Sequence, residues 1–132
     1  MGLEDDLTKS LWQCIHFVNA DQLVILRNAL IASDILLLEV DVGDVRFEKQ
    51  LFSAISQTMK FPSYFGGNWD AFEECLRDMD WLPGGGYVLA LHSGKKLWES
   101  ATQLAGSLVE SWLFCAEEWA KNNVPFHLIF VL

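Results

Sequence analysis

The residues with the clearest chemical potential form a row of carboxylates between residues 70 and 78. Asp70, Glu74 and Asp78 follow one another at intervals of four, which stacks them on one side of an α-helix. We call these three residues the acidic stripe. Like charges at this spacing destabilise an isolated helix by about 0.2–0.5 kcal/mol per pair. Because the chain keeps these residues despite the destabilisation, we expect the acidic stripe to bind a cationic partner.

Two plainer explanations compete with this one. Most charged runs on helices are solvated faces, and here Glu73 and Arg77 have the spacing of an ordinary i, i+4 ion pair. Asp70 and Glu74 could also serve as a general acid and base. The sequence has no glycine-rich phosphate loop, since the run at 84–86 lacks the following lysine and Ser or Thr. It also has no metal-ligand spacing, so we expect no enzyme, metal or cofactor.

A helix has to present the acidic stripe, and the neighbouring residues predict one. Apolar residues recur at i, i+3, i+4 and i+7, which defines a face to be buried: Phe72, Cys75, Leu76 and Met79. Asn68 stands where its side chain can cap the helix N-terminus. Before it, Tyr64 and Trp69 flank Gly66 and Gly67, and glycines let a backbone approach a partner closely.

The rest of the chain alternates between strand and helix patterns. Strands are predicted at 14–18, 35–42, 87–91 and 126–132, and helices at 20–32, 47–60, from 68 onwards and at 97–121. Asn19 or Asp21 could cap the first helix, and Gly106 could divide the last. We expect an α/β fold with a three-stranded parallel sheet packed by helices, and residues 14–18 as a candidate fourth strand. The run 35–42 is almost wholly apolar, which is typical of a strand covered on both faces.

Length and composition fit one domain over residues 1–132. The 132 residues carry 18 acidic and 9 basic side chains, a formal charge of −9 that disfavours nucleic-acid binding. No apolar run is long enough for a membrane span, and residues 1–10 lack a secretory signal pattern, so a cytoplasmic location is expected. Cys14, Cys75 and Cys115 are predicted to be buried free thiols. We expect a monomer.

The segment 62–83, PSYFGGNWDAFEECLRDMDWLP, resembles the barstar family of ribonuclease inhibitors. The similarity includes the residues 62–66, then Asn68, Asp70, Ala71, Cys75 and Leu76, and the following 81–83. It extends more weakly from about residue 35 to the C-terminus. Residues 1–33 are similar to an N-terminal extension found in larger relatives, and 34–132 to the barstar-like core.

The resemblance implies how such a protein would act. Family members plug the active-site cleft of a ribonuclease with this loop and helix, as stoichiometric inhibitors or immunity proteins against a toxin. The resemblance places Tyr64, Gly66, Asn68, Asp70 and Glu74 at matching contact positions and Glu118 at a peripheral acidic one. Trp69 and Glu73 are further candidates for partner binding beside them. In this interpretation Asp70 and Glu74 mimic phosphates, and Tyr64 and Trp69 are aromatic anchors.

Three positions depart from the family pattern. Glu74 stands where barstar has an aspartate, Glu73 where it has a tryptophan, and Gly67 where it has an acidic residue. These differences favour another ribonuclease with a similar basic cleft, of extracellular or toxin type, over barnase itself. The sequence leaves one alternative open, an acidic module that binds a basic protein without inhibiting a ribonuclease.

Overall fold

The computed structural model describes residues 2–10, 13–63 and 65–132, which form an α/β fold. In chain order the elements are α1 (Leu3–Leu7), β1 (Ile15–Val18), α2 (Ala20–Leu30), β2 (Ile35–Asp41), α3 (Glu48–Thr58), α4 (Trp69–Asp78), β3 (Gly86–His92), α5 (Gly94–Ser100), α6 (Thr102–Ala120) and β4 (Phe126–Val131). No helix within the described ranges is long and apolar enough to cross a membrane.

The strands form one parallel sheet in the order β1-β4-β3-β2. The two central strands, β3 and β4, are buried on both faces, as their uninterrupted apolar sequences require. The sheet therefore has four strands where three were predicted, because the candidate strand at 14–18 does join it, beside β4. Helix α1 was not foreseen, and Asn19, not Asp21, caps α2 by accepting from the Gln22 N–H at 2.8 Å.

Helices cover both faces of the sheet and bury separate clusters. Alternate residues of β3 face opposite ways: Leu89 and Leu91 join α3, α4, α5 and α6, whereas Val88 and Ala90 join α1 and α2. The first cluster is the larger and contains the fully buried Trp112. Helix α4 thus belongs to the thicker side of the molecule, where it packs against α6.

Both faces of β2 are covered, as predicted for the apolar run at 35–42, with α3 packed on one face and α2 on the other. The strand lies at an edge of the sheet, however, and its central residues are only half-buried. Hydropathy alone does not report strand order, which the crossover connections set. The prediction that Gly106 divides the long helix is wrong: the division is at Ala101, where φ is −144° and ψ is 57°, and Gly106 lies within α6.

Buried polar and thiol groups support this packing. All three cysteines are buried and free, as predicted, and burial raises the pKa of Cys14 to about 11 and that of Cys115 to about 12. His127 is fully buried and its Nε2–H donates to the Lys9 carbonyl at 2.8 Å. Its Nδ1 is then free to accept from His16 Nε2 at 3.0 Å, an arrangement that requires a neutral His127 ring.

A pair of glycine substitutions tests the helix division. A Cβ added at Gly106 meets no atom within 4 Å, so Gly106→Ala should raise the free energy of unfolding by about 0.5–1 kcal/mol through helix propensity. A Cβ at Gly94 would lie 2.9 Å from Phe130 Cβ, so Gly94→Ala should destabilise by about 1–3 kcal/mol. Urea unfolding measures both. Equal effects of the two changes would contradict the assigned positions.

Acid should weaken the fold through the histidine pair. Burial, and then the neighbouring His127, lowers the pKa of His16 from 6.5 to about 4, with Asp6 acting in the opposite sense. Between these values the unfolded chain binds more protons at this site, so the free energy of unfolding falls as the pH drops through this window. Above pH 6.5 the effect is absent. Chemical unfolding at a series of pH values should show a shallower pH dependence of the free energy of unfolding in His16→Gln than in the wild type. Identical slopes for the variant and the wild type would refute the role of His16.

Candidate functional site

The start of α4 is fixed by the Asn68 side chain. Its Oδ1 accepts a hydrogen bond from the Ala71 N–H at 2.8 Å, which satisfies one of the unpaired N–H groups of the first helical turn. Asn68 itself has an extended backbone and is exposed. The predicted cap is therefore confirmed, and it accounts structurally for an asparagine at this position.

The rotation of α4 about its axis is fixed by its apolar face. Phe72, Cys75, Leu76 and Met79 are all buried, as the sequence pattern predicted. At the C-terminal end, Met79 adopts the left-handed conformation with φ of 55°, and the Leu82 N–H donates to its carbonyl. Trp119 Nε1 from α6 donates to the Leu76 carbonyl at 2.8 Å. These contacts prevent the helix from turning its acidic side inwards.

The acidic stripe lies on the outer surface as a result. Asp70, Glu74 and Asp78 are all exposed, and none of them forms an ion pair within the described residues. Their charges affect neighbouring groups. Burial raises the pKa of the Cys75 thiol, and the carboxylates of Asp78 and Glu74 raise it further. A hydrogen bond with Asp78 and its negative charge likewise raise the pKa of Asp80.

The loop before α4 is anchored by one aromatic side chain. Phe65 packs edge-on against Phe52 and Phe61, with ring centroids 5.8 and 5.3 Å apart. Gly67 has φ of 72° and open space where a Cβ would project, so this turn favours glycine. Gly66 is exposed beside it. Tyr64, predicted to be an aromatic contact, lies outside the described residues.

One side of the Trp69 side chain packs against the rest of the protein. Its ring meets Phe52 and Phe72 edge-on at 4.9 and 5.7 Å, and its Nε1–H donates to Glu48 Oε1 at 3.0 Å. The residue is half-buried, so only its remaining surface is available to a partner. Sequence reasoning missed Glu48, because it is 21 positions away and on another helix.

Glu73 occupies a different position from the stripe. It is half-buried in a groove of about 330 Å³ between α4 and α6, and its Oε2 accepts from Ser111 Oγ at 2.8 Å. Arg77 does not form the expected ion pair with it; Nε of Arg77 instead donates to the Glu73 carbonyl at 3.3 Å. The guanidinium lies 5.2 Å from the centre of the Phe114 ring.

Glu118 lies on α6, one residue before the tryptophan that bonds to α4. Its carboxylate pairs with Lys121 at 3.1 Å, and both side chains are exposed. The predicted residues therefore divide into three sets. Gly66, Asn68, Asp70 and Glu74 are exposed, Trp69 and Glu73 are partly used internally, and Glu118 stands on the adjoining helix.

No sequence pattern indicated the groove residues that α6 contributes. Glu110, Ser111 and Phe114 line it beside Trp69 and Glu73. These residues lie near Trp69 and Glu73 because α6 packs against α4. Helical periodicity indicates which face of a helix is buried but not which other helix that face contacts. The described residues contain no cluster of three or more metal-ligand side chains.

The fold and this surface define a class of protein: a parallel α/β sheet packed by a helix that exposes a row of carboxylates. Residues 35–131 match the family described as Barstar (barnase inhibitor), which is well over half of the chain. The chain belongs to the barstar family. Curated proteins yielded no match. At the family level this is a group of inhibitors that bind protein partners, not a group of enzymes.

Removal of the α4 cap provides a test of the site's framework. Asn68→Ala should lower the free energy of unfolding by about 1 kcal/mol because the Ala71 N–H loses its partner. Asn68→Asp retains an acceptor oxygen at the same place and should keep most of the stability. Thermal or urea unfolding of the two variants distinguishes these outcomes. A loss of equal size in both would show that the cap is not the source of the stability.

Proposed function

We propose that this protein inhibits a ribonuclease in the cytoplasm by covering its active-site cleft with the loop at 62–68 and the acidic stripe of α4. The observation that carries the proposal is the exposure of Asp70 and Glu74 on a helix whose other face is fully buried. The family supplies the inhibitory role in general terms. The identity of the ribonuclease and the contact residues are our inference.

The chemistry of a ribonuclease cleft supports this choice of residues. An enzyme that holds RNA must present cationic groups to the phosphates, and carboxylates bind the same groups, often in bidentate pairs with arginine. Asp70 and Glu74 are four residues apart on α4, which is slightly more than one turn and about 6 Å of axial rise. They can therefore occupy two neighbouring cationic subsites without any change in their own backbone.

The absence of ion pairs at the stripe lowers the cost of binding. Among the described residues Asp70 and Glu74 have no cationic partner to give up, so they meet the target already free. The formal charge of −9 also attracts a basic protein over a distance. Charged surfaces of opposite sign accelerate encounter, and the barnase–barstar pair is itself a measured example of that effect.

Glu73 and Glu118 have secondary parts in this proposal. Glu73 is already bonded to Ser111, so a partner would reach mainly its second oxygen within the groove. Glu118 could contact the target at the periphery, where an exposed ion pair with Lys121 competes and the net gain is small, about 0–1 kcal/mol. We assign most of the binding free energy to Asp70 and Glu74.

Removing the two carboxylates tests the proposal. The double variant Asp70→Ala, Glu74→Ala should bind its ribonuclease at least about 100-fold more weakly, since truncating interface hot spots typically costs about 2 kcal/mol or more each, a range that includes barstar measurements. Titration of RNA cleavage gives the inhibition constant, with barnase and a ribonuclease from the same host as probes. The variant should remain folded because both side chains are exposed.

A charge-matched control separates the site from the overall charge. Asp21→Ala with Glu99→Ala removes the same net charge from exposed positions on α2 and α5 and should leave the inhibition constant nearly unchanged. Equal losses of inhibition in both double variants would show that the stripe acts only through the net charge of the protein. A tight complex that leaves RNA cleavage intact would identify the protein as an interaction module without inhibitory function.

A further inference from the structure

The groove between α4 and α6 opens beside the acidic stripe. On α4, Trp69, Glu73 and Arg77 are four residues apart and form a second row next to the stripe. The groove has a volume of about 330 Å³ and is lined by Trp69, Glu73, Ser107, Glu110, Ser111 and Phe114. A partner that docks on the stripe therefore also comes to lie over the groove.

The lining of this groove is acidic. Glu73 and Glu110 contribute two carboxylates, and among the described residues no lysine, arginine or histidine lines it. Neither glutamate forms an ion pair within the part of the chain that the structure describes. Ser111, only 6% exposed, donates to Glu73 Oε2, and Oε1 has no bonded partner in the same part of the chain. A concave surface lined by one sign of charge concentrates the field, so this groove attracts a cation.

Aromatic side chains supply the rest of the recognition surface. Phe114 is 45% exposed, and the half-buried Trp69 is held by its hydrogen bond to Glu48. Trp69 lies one turn before Glu73 on α4, and Phe114 lies one turn after Glu110 on α6, so an aromatic ring is within a turn of each carboxylate. The face of an aromatic ring attracts a cation through the ring quadrupole, and more strongly where water is excluded.

The chemistry of the groove favours a guanidinium group over an ammonium group. Phe114 already meets one guanidinium within the protein, that of Arg77, at 5.2 Å from the ring centre. A guanidinium is planar and weakly hydrated, and it can bond two carboxylate oxygens at once, whereas the ammonium group of lysine is compact and strongly hydrated. The groove volume of about 330 Å³ is near the lower end of the range for ligand pockets, which suits a single side chain.

We propose that this groove receives one arginine side chain of the bound ribonuclease, with Glu73 Oε1 and the Glu110 carboxylate as its acceptors. This proposal rests on the proposed function, because the stripe brings the partner to the groove. Ser107, Glu110 and Phe114 are not among the contact positions that the family resemblance supplies, so the groove adds a second element of recognition. The stripe suits any basic cleft, and the groove selects a ribonuclease that carries an arginine beside its cleft.

Titration of the protein alone with N-acetyl-arginine amide tests the groove without a ribonuclease. In amide nuclear magnetic resonance spectra, the Trp69 indole N–H and the signals of residues 107–114 should shift with a dissociation constant of about 1–10 mM, as for a single weakly held side chain. N-acetyl-lysine amide should shift them much less. The double variant Glu73→Gln, Glu110→Gln should lose the response to arginine, and it should stay folded because glutamine keeps an acceptor for Ser111.

Inhibition assays with barnase and a ribonuclease from the same host test the groove in the complex. Glu73→Gln with Glu110→Gln should raise the inhibition constant by about 10- to 100-fold, since each loses a charge-assisted hydrogen bond. Asp21→Asn with Glu99→Gln removes the same charge from exposed positions on α2 and α5 and should change the constant little. One arginine of the ribonuclease should have no further effect when it is replaced by alanine against the groove variant.

These measurements separate the groove from the proposed function. Asp70→Ala with Glu74→Ala should impair inhibition and leave the arginine-induced shifts of the groove unchanged. Groove signals that do not respond to the arginine compound, or that respond equally to the lysine compound, would overturn the groove proposal alone. So would a groove variant that inhibits as well as the wild type while the stripe variant does not. A protein that binds the arginine compound but inhibits neither ribonuclease would contradict the proposed function, and with it the ribonuclease as the source of the arginine.

Discussion

The burial of one face of α4 is the constraint on which the site depends. Phe72, Leu76 and Met79 lie in the larger core, and Trp119 of α6 bonds to the Leu76 carbonyl. Because consecutive residues of a helix are separated by about 100°, fixing these side chains also fixes the direction of every other side chain on α4. The carboxylates of the acidic stripe must therefore face solvent. Their mutual repulsion is a small cost beside the burial of several large apolar side chains, each of which contributes about 1.5–3 kcal/mol.

The same packing holds the exposed surface of α4 in one conformation. The stripe rests on a helix that is capped by Asn68, closed by the left-handed Met79 and held between the sheet and α6. Little conformational freedom is left to lose when a partner docks, so more of the interaction energy is available for affinity. Trp69 and Phe65 connect the preceding loop to Phe52 of α3, which links the loop and the helix into one unit.

Much of this framework could be predicted from the sequence, because it depends on local patterns. The i, i+3, i+4, i+7 spacing identified the buried face of α4, and Asn68 was recognisable as its cap. The failures concern relations between elements. The run at 35–42 did not show that β2 lies at an edge, and Gly106 was mistaken for a break that occurs at Ala101. Likewise, the bonds of Glu73 to Ser111 and of Trp69 to Glu48 join helices whose contact no periodicity specifies.

We propose that the stripe occupies the positions in a ribonuclease where RNA phosphates bind. A competition titration tests this: the affinity of the protein complex is measured at a series of concentrations of a nucleotide that fills the ribonuclease cleft without being cleaved. Binding of the protein and of the nucleotide should be mutually exclusive, so the apparent dissociation constant of the protein complex should rise linearly with the nucleotide concentration. An apparent dissociation constant that stays the same while the nucleotide saturates the enzyme would show that the stripe binds elsewhere.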